Sequence, residues 1–145
     1  MIYDGREDEI VIGKGVVVND GTDVAIFACG VALHEAVKAC HQLEQEGLSV
    51  AVIDMHTIKP LDTEMVNDYA KKCGAIVTAE DHSVIGGLGS AIAEHLVKEY
   101  PIPMEMIGVQ DRFGESGQAD EMLDVMKISA PYIAEAAKRA MARKA

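Results

Sequence analysis

The chain has 145 residues, which fits one domain of ordinary size, and its apolar residues, 49% of the total, are enough for a hydrophobic core. A formal net charge of −11 argues against nucleic acid and anionic membranes as partners, because phosphate groups are bound through clustered Lys and Arg. No apolar run reaches the roughly 18 residues of a membrane helix, and the acidic residues 1–9 do not resemble a signal peptide, so we expect a cytoplasmic protein.

Apolar patterning predicts strands and helices that alternate along the chain. The predicted strands are residues 15–18, 23–28, 50–53, 76–78 and 104–109. The predicted helices are residues 31–46, residues 62–72, a segment from Leu88 that ends before Pro101, a segment from about Ala119, and residues 129–143. Alternation of this kind gives a mostly parallel sheet with helices on both faces.

Local signals predict several element ends. Asn19-Asp20-Gly21-Thr22 is a strong turn signal between the first two strands, so we expect a hairpin with the first strand antiparallel to the second. Asp62 can cap one helix and Gly74 can end it. Ser129 is the predicted N-cap of the last helix. Residues 1–14, mostly charged or glycine-bearing, are predicted to be a surface lead-in.

The segment from residue 79 to residue 91 is the most informative of the chain. Charged residues that include Glu80 and His82 follow an apolar strand, and Gly86, Gly87 and Gly89 precede a helix. Sites of α/β proteins lie at this position. The spacing does not complete the dinucleotide fingerprint G-x-G-x-x-G, and the carboxylates would repel a pyrophosphate, so nucleotide binding is disfavoured. Glycine also lets a helix begin close to a sheet and permits a positive φ in the turn.

Glu80 and His82 allow two interpretations. Alternate residues of an extended segment face the same side, so these two side chains can meet. A histidine beside a carboxylate can serve as a general base, but we favour a hydrogen-bond cluster at an interface.

The loop of residues 54–62 also has two interpretations. His56 and Lys59 can meet an anion, or Ile58 and Leu61 can anchor the loop while Pro60 fixes its bend. Both stay open from the sequence. The candidate interface or anion contacts of the chain are therefore His56, Lys59, Glu80, His82, Gly86, Gly87 and Gly89.

Other motifs do not predict catalytic or metal-binding residues. The three cysteines form no C-x-x-C pair, so neither a disulfide framework nor a zinc site is indicated. His34 and His41 are seven residues apart on one helix, about 10 Å along its axis, which is too far to share an ion. Gly114-Glu115-Ser116-Gly117 does not complete the serine elbow G-x-S-x-G and is interpreted as a turn.

Taken together, three segments resemble the C-terminal domain of transketolases, and the resemblance covers about residues 7–143. The segments are Asp54-Met55-His56-Thr57-Ile58-Lys59-Pro60-Leu61-Asp62, then Glu80-Asp81-His82 with Ile85-Gly86-Gly87-Leu88-Gly89-Ser90-Ala91, and Asp111-Arg112-Phe113-Gly114-Glu115-Ser116-Gly117. The C-terminal subunit of split transketolases is the most similar subtype. Deoxyxylulose-phosphate synthase and the β subunit of 2-oxoacid dehydrogenases share the domain and resemble the chain more loosely.

The resemblance implies a three-layer α/β/α domain with a mixed, mostly parallel five-stranded sheet that has one antiparallel strand. It implies a whole enzyme that transfers a two-carbon ketol unit between sugar phosphates, as in the pentose phosphate pathway, with thiamine diphosphate and Mg²⁺. In this family two preceding domains hold the cofactor. We therefore expect no catalytic, cofactor-binding or metal-binding residue in this chain, and no activity from the chain alone.

The same resemblance gives expectations for domains and partners. Residues 1–14 are expected to be a linker from a missing upstream domain, and residues 15–145 the C-terminal domain. The expected partners are upstream thiamine-binding domains or an N-terminal subunit of the same enzyme, and a second copy in a homodimer. One alternative function is the equivalent domain of a deoxyxylulose-phosphate synthase or of a 2-oxoacid dehydrogenase β subunit. The others are a stand-alone ligand-binding regulatory α/β module and a module that dimerises through the glycine-rich helix.

Overall fold

The computed structural model describes residues 2–5 and 7–144. Met1, Arg6 and Ala145, which belong to the predicted lead-in and domain, lie outside the described residues. The strands are β1 (Val16–Asn19), β2 (Val24–Ala28), β3 (Val50–Asp54), β4 (Ile76–Ser83) and β5 (Met104–Val109). The helices are α1 (Ala32–Gln45), α2 (Thr63–Cys73), α3 (Leu88–Glu99), α4 (Ala119–Val125) and α5 (Ala130–Ala142), with a short 3-10 turn at Glu7–Glu9.

The strands form one sheet in the order β1-β3-β2-β4-β5. β3, β2, β4 and β5 are mutually parallel, and β1 pairs with β3 in the antiparallel sense. One hydrophobic core lies between the sheet and α1 and α5, and a second lies between the sheet and α2 and α3. The predicted three-layer α/β/α domain with one antiparallel strand is confirmed.

The predicted hairpin is wrong, because β1 pairs with β3 and not with β2. The connection between β1 and β2 passes over the start of β3, where the N–H groups of Thr22 and Asp23 donate to Ser49 O at 3.1 and 2.7 Å. A Cβ on Gly21 would lie 2.3 Å from the carbonyl carbon of Val50, so only glycine permits this crossing. The turn signal predicted the reversal of direction, but β2, buried along its whole length, takes β3 and β4 as its neighbours.

The predicted ends of α2 are confirmed. Asp62 accepts a hydrogen bond from Met65 N–H at 3.1 Å, and Gly74 ends the helix with φ +67°. Both are local devices, in which a carboxylate satisfies a free N–H of the first turn and a glycine adopts the left-handed conformation.

The start of α5 is capped from another helix. Ser129 occupies the predicted N-cap position, but its hydroxyl donates to Asp124 Oδ1 at 2.9 Å. The acceptor for Ala130 N–H is instead the buried carboxylate of Glu35 in α1, at 2.8 Å. Burial alone would raise the pKa of Glu35, but hydrogen bonds from Lys38 and Ala130 outweigh burial and hold the pKa below its ordinary value.

β4 is longer than predicted and contains a bulge. Ala79 lies opposite Ile107 and Ser83 lies opposite Val109, so three residues of β4 face Gly108 alone. A Cβ on Gly108 would lie 2.9 Å from His82 O, so the bulge requires glycine here. Bulges of this kind re-aim side chains at the end of a strand.

Four strands end at the same edge of the sheet, which we call the carboxyl edge: the ends of β2, β3, β4 and β5 with the loops that follow them. The lead-in also packs there. Gly13 N–H donates to Thr57 Oγ1 at 2.9 Å and Gly15 N–H donates to Asp62 Oδ2 at 3.0 Å. Within residues 2–5 and 7–144, no helix combines the length and apolar character needed to cross a membrane.

Candidate functional site at the carboxyl edge

Glu80 caps the start of α3. Its carboxylate is fully buried and accepts hydrogen bonds from Leu88 N–H at 2.6 Å and from Gly89 N–H at 2.9 Å. The first N–H groups of a helix have no partner within the helix, and a carboxylate also complements the positive end of the helix dipole. The position where an α/β protein can hold a phosphate is therefore filled by a side chain of the domain itself.

The glycines allow this arrangement. A Cβ on Gly87 would lie 2.0 Å from Glu80 Oε2, and a Cβ on Gly89 would lie 2.8 Å from Thr78 Oγ1. Gly86 lies in the exposed turn with φ +77°, a conformation that L side chains rarely adopt. Gly87 and Gly89 thus let the helix start against the sheet, and Gly86 shapes the turn before it.

His82 lies on the same side of β4 as Glu80, as the alternation of the strand predicted. Its Nδ1 is 3.0 Å from Glu80 Oε2, and the imidazole is 47% exposed. Because a carboxylate accepts, Nδ1 donates, and His82 connects the buried cap to the surface. The geometry is that of an oriented histidine, and its use as a base or in an interface remains a prediction.

His56 holds the lead-in on the domain. Its Nε2 is 3.0 Å from Val11 O, and since a carbonyl only accepts, Nε2 carries the proton. Its Nδ1 is 3.9 Å from Asp54 Oδ2, too far for a hydrogen bond, and that oxygen accepts a hydrogen bond from the Tyr3 hydroxyl. Asp54 Oδ1 and His56 Nδ1 are buried and have no hydrogen-bond partner in the described part of the chain.

Lys59 stands apart from these contacts. Its side chain is exposed and makes no ion pair within residues 2–5 and 7–144. Its role as an anion or interface contact remains a prediction, like that of the other candidate residues of the loop and the glycine segment.

The thiol at the end of β2 is unreactive in this setting. Burial raises the pKa of Cys29 to about 12, and the negative charges of Glu80, Asp81 and Asp54 add to that effect. A thiol with such a pKa is protonated at neutral pH and is a poor nucleophile.

The residues at this edge do not fit thiamine diphosphate or its metal ion. Glu80 already occupies the free N–H groups that would bind a phosphate, and exposed Asp81 and Asp111 would repel one. Among the described residues, no three His, Cys, Asp or Glu side chains are placed to hold a metal ion. A cofactor site assembled from this chain alone is therefore not supported by its donor set.

Sequence reasoning missed three residues that shape the edge. Glu35 and Asp54 carry buried carboxylates inside or directly after apolar runs, and such residues need partners because an unpaired buried charge is costly. Gly108 interrupts the β-rich run of β5, which is a known sign of a bulge or a close backbone approach. These signals are present in the sequence, but their partners are far away along the chain.

Comparisons with known proteins bear on the family and the fold of the chain. The family model described as "Transketolase, C-terminal domain" matches residues 13–133. The 6-deoxy-6-sulfo-D-fructose transketolase subunit SqwH of Clostridium sp. (strain MSTE9) is 43% identical over 97% of this chain and 44% of its own length. The 1-deoxy-D-xylulose-5-phosphate synthase 1 of Geobacter sulfurreducens is 37% identical over 94% of this chain and 22% of its own length.

A solved structure described as "Split gene transketolase, inactive beta4 tetramer" superposes with a TM-score of 0.90 at 43% identity, over 94% of this chain and 45% of that chain. The chain thus spans less than half the length of these relatives. Since the family model covers most of the residues and the fold agrees with a solved relative, the chain belongs to the transketolase C-terminal domain family.

Proposed function

We propose that the chain is the non-catalytic C-terminal domain of a transketolase, and that the assembled enzyme transfers a two-carbon ketol unit between sugar phosphates. The observation that carries this proposal is that polar side chains at the carboxyl edge make contacts within the domain itself. Glu80 serves as a helix cap and His56 binds the lead-in, so the polar groups that look like a site in the sequence stabilise the domain instead.

The chemistry then belongs to other sections of the enzyme. Thiamine diphosphate and a divalent cation supply it, and they are held by an N-terminal subunit or by further thiamine-binding domains. The word "subunit" in the name of the Clostridium relative supports such a division, and the word "inactive" in the description of the solved relative supports a chain without activity of its own. Within the chain, residues 15–145 are the proposed domain and residues 1–14 the proposed lead-in, in which Val11 and Gly13 contact His56 and Thr57 of the domain.

The assembled enzyme contains two copies of this domain and works in the cytoplasm. The tetramer of the solved relative supports association between copies. Three free cysteines, at Cys29, Cys40 and Cys73, are typical of a reducing compartment. The substrates are ketose phosphates of central carbohydrate metabolism, such as those of the pentose phosphate pathway, or a sulfosugar like the one in the name of the Clostridium relative.

The alternative is the same domain in a 1-deoxy-D-xylulose-5-phosphate synthase, and the Geobacter relative supports it. Since both functions place the chemistry outside this chain, the residues of the chain do not distinguish them. The product of the assembled enzyme does.

The test is ketol transfer by the pure chain, by the thiamine-diphosphate-binding section encoded in the same genome, and by the mixture, each with thiamine diphosphate and Mg²⁺. We expect turnover only in the mixture. Turnover by the chain alone would overturn the proposal. Formation of 1-deoxy-D-xylulose 5-phosphate by the mixture, in place of ketol transfer, would assign the alternative.

A further inference from the structure

The exposed apolar side chains of this domain are concentrated at the carboxyl edge. Ten large apolar side chains are exposed among the described residues. Six of them lie in the loops and the lead-in at this edge: Ile10, Val11, Ile12, Val31, Ile85 and Phe113. Phe113 is 96% exposed and Ile12 is 80% exposed. A concentration of this kind marks an interaction surface, whereas single exposed apolar residues are ordinary.

Two clefts give this edge its shape. One, of about 430 Å³, lies between Ser83, Asp111 and Phe113. The other, of about 270 Å³, has an apolar floor that includes Leu123 and Ile128. Val109 lines both, so the clefts adjoin at the end of β5. A pair of adjoining clefts, one of them with an apolar floor, suits the inserted side chains of a protein partner.

The rim of these clefts is acidic. Asp81 and Asp120 line the apolar cleft, and Asp111 lines its neighbour. None of these three carboxylates has a cation within 4.0 Å among residues 2–5 and 7–144. Arg112 also lines the cleft beside Asp111, and its charge is paired with Glu115. Lys38 lies near Asp120, and its charge is paired with Glu35. The surface therefore fits an apolar side chain flanked by Lys or Arg.

The same charges argue against a second copy on this surface. A two-fold contact would bring the acidic rim of one copy against the same rim of the other, which is repulsive. The free edge of β5 is not an alternative docking site either. Arg143 donates to Met104 O at 2.5 Å and Gln110 donates to Met106 O and Gly108 O at 3.3 Å, so side chains of the domain cover the carbonyl groups along that edge.

We propose that the carboxyl edge docks a basic, apolar surface of the thiamine-diphosphate-binding section of the enzyme. Its apolar contacts include Phe113, which lines one of the clefts, and exposed Ile85 in the loop between β4 and α3. This inference rests on the proposed function and adds to it the surface and the chemistry of the contact.

The test is isothermal titration of the whole chain with the thiamine-diphosphate-binding section encoded in the same genome. Ile85 and Val97 are a matched pair, because both are 68% exposed but Val97 lies on the outer part of α3. We expect Phe113→Ser and Ile85→Ser to raise Kd at least about tenfold and Val97→Ser to change it less than about twofold. Asp81→Asn with Asp120→Asn is expected to raise Kd and to flatten its dependence on salt.

The possible outcomes separate this inference from the proposed function. Unchanged binding by Phe113→Ser and Ile85→Ser, or equal weakening by Val97→Ser, would place the contact elsewhere and overturn the inference, while the proposed function would stand. Absence of binding by the unaltered chain would count against the proposed function itself. Self-association of the chain in sedimentation that Phe113→Ser abolishes would assign this surface to a second copy and also overturn the inference.

Discussion

Glu80→Gln is expected to destabilise the domain although it replaces a single atom. The carboxylate accepts from two backbone N–H groups, those of Leu88 and Gly89, at 2.6 and 2.9 Å in a fully buried setting. A glutamine can accept from one of them only, and its amide group presents a donor to the other. One N–H of the first turn of α3 then stays buried without an acceptor.

The loss of stability is the sum of two destabilising terms and one stabilising term. Loss of a hydrogen bond to a charged group costs roughly 1.5–3 kcal/mol, and this figure includes the cost of the donor that is left without an acceptor. Loss of the charge at a partly buried helix end costs up to about 2 kcal/mol. Relief from burying a charge offsets part of this sum. We expect the free energy of unfolding to fall by about 2–3 kcal/mol.

The assay is urea unfolding followed by circular dichroism, with Glu94→Gln as the matched control. Glu94 lies on the same helix, is exposed and forms no ion pair in the described part of the chain, so its substitution should change stability by less than about 0.5 kcal/mol. Hydrogen exchange at Leu88 and Gly89 reports the same cap locally. A Glu80→Gln variant as stable as the control, with unchanged exchange at those two amides, would refute the assignment of Glu80 as the cap.

Three further predictions use the same measurements. Gly87→Ala should lower the free energy of unfolding by about 2 kcal/mol or more, because its Cβ would lie 2.0 Å from a buried carboxylate oxygen. Gly86→Ala, in open space at φ +77°, should lower it by about 1 kcal/mol. Equal losses of stability would contradict the close contact at Gly87. With a pKa of about 12, Cys29 should react with iodoacetamide at pH 8 about a thousandfold more slowly than an ordinary thiol, and rapid labelling of folded protein would refute this. The contribution of Cys29 to stability should decline as the pH rises above 9, since the folded state keeps the thiol proton to a higher pH than the unfolded state does. The lowered pKa of Glu35 predicts stability that is present above pH 4.5 and declines as the pH falls below it; Glu35→Gln should flatten this decline in acid unfolding, and a parallel curve would show that Glu35 is not responsible.

The sequence was sufficient for elements whose causes are local. The ends of α2 depend on Asp62 and Gly74, which lie within the helix or directly beside it, and both were predicted. The alternation of apolar strands and helices likewise predicted the layers of the fold. The spacing does not complete G-x-G-x-x-G, and in the structure the Glu80 carboxylate lies at the helix start, where such a motif would hold a phosphate.

Features whose causes are distant along the chain could not be predicted. The pairing of β1 with β3 depends on what flanks β2, and the turn between β1 and β2 carries no information on that choice. β4 was expected to end at Thr78 because charged residues follow, but the bulge opposite Gly108 and the cap on α3 allow the strand to continue through Ser83. The cap of α5 by Glu35 joins residues 95 positions apart.

The three segments that carry the family resemblance differ in whether contacts within the domain explain their residues. In the first segment, Asp62 caps α2 and His56 binds the lead-in. In the second, Glu80 caps α3 through a glycine that fits against it. In the third, Phe113 is 96% exposed, so the domain itself gives it almost nothing to pack against. A large aromatic side chain in that state costs solubility and returns no stability within the domain. The proposed docking of the thiamine-diphosphate-binding section on the carboxyl edge would cover this side chain, and the Phe113→Ser titration measures that contact.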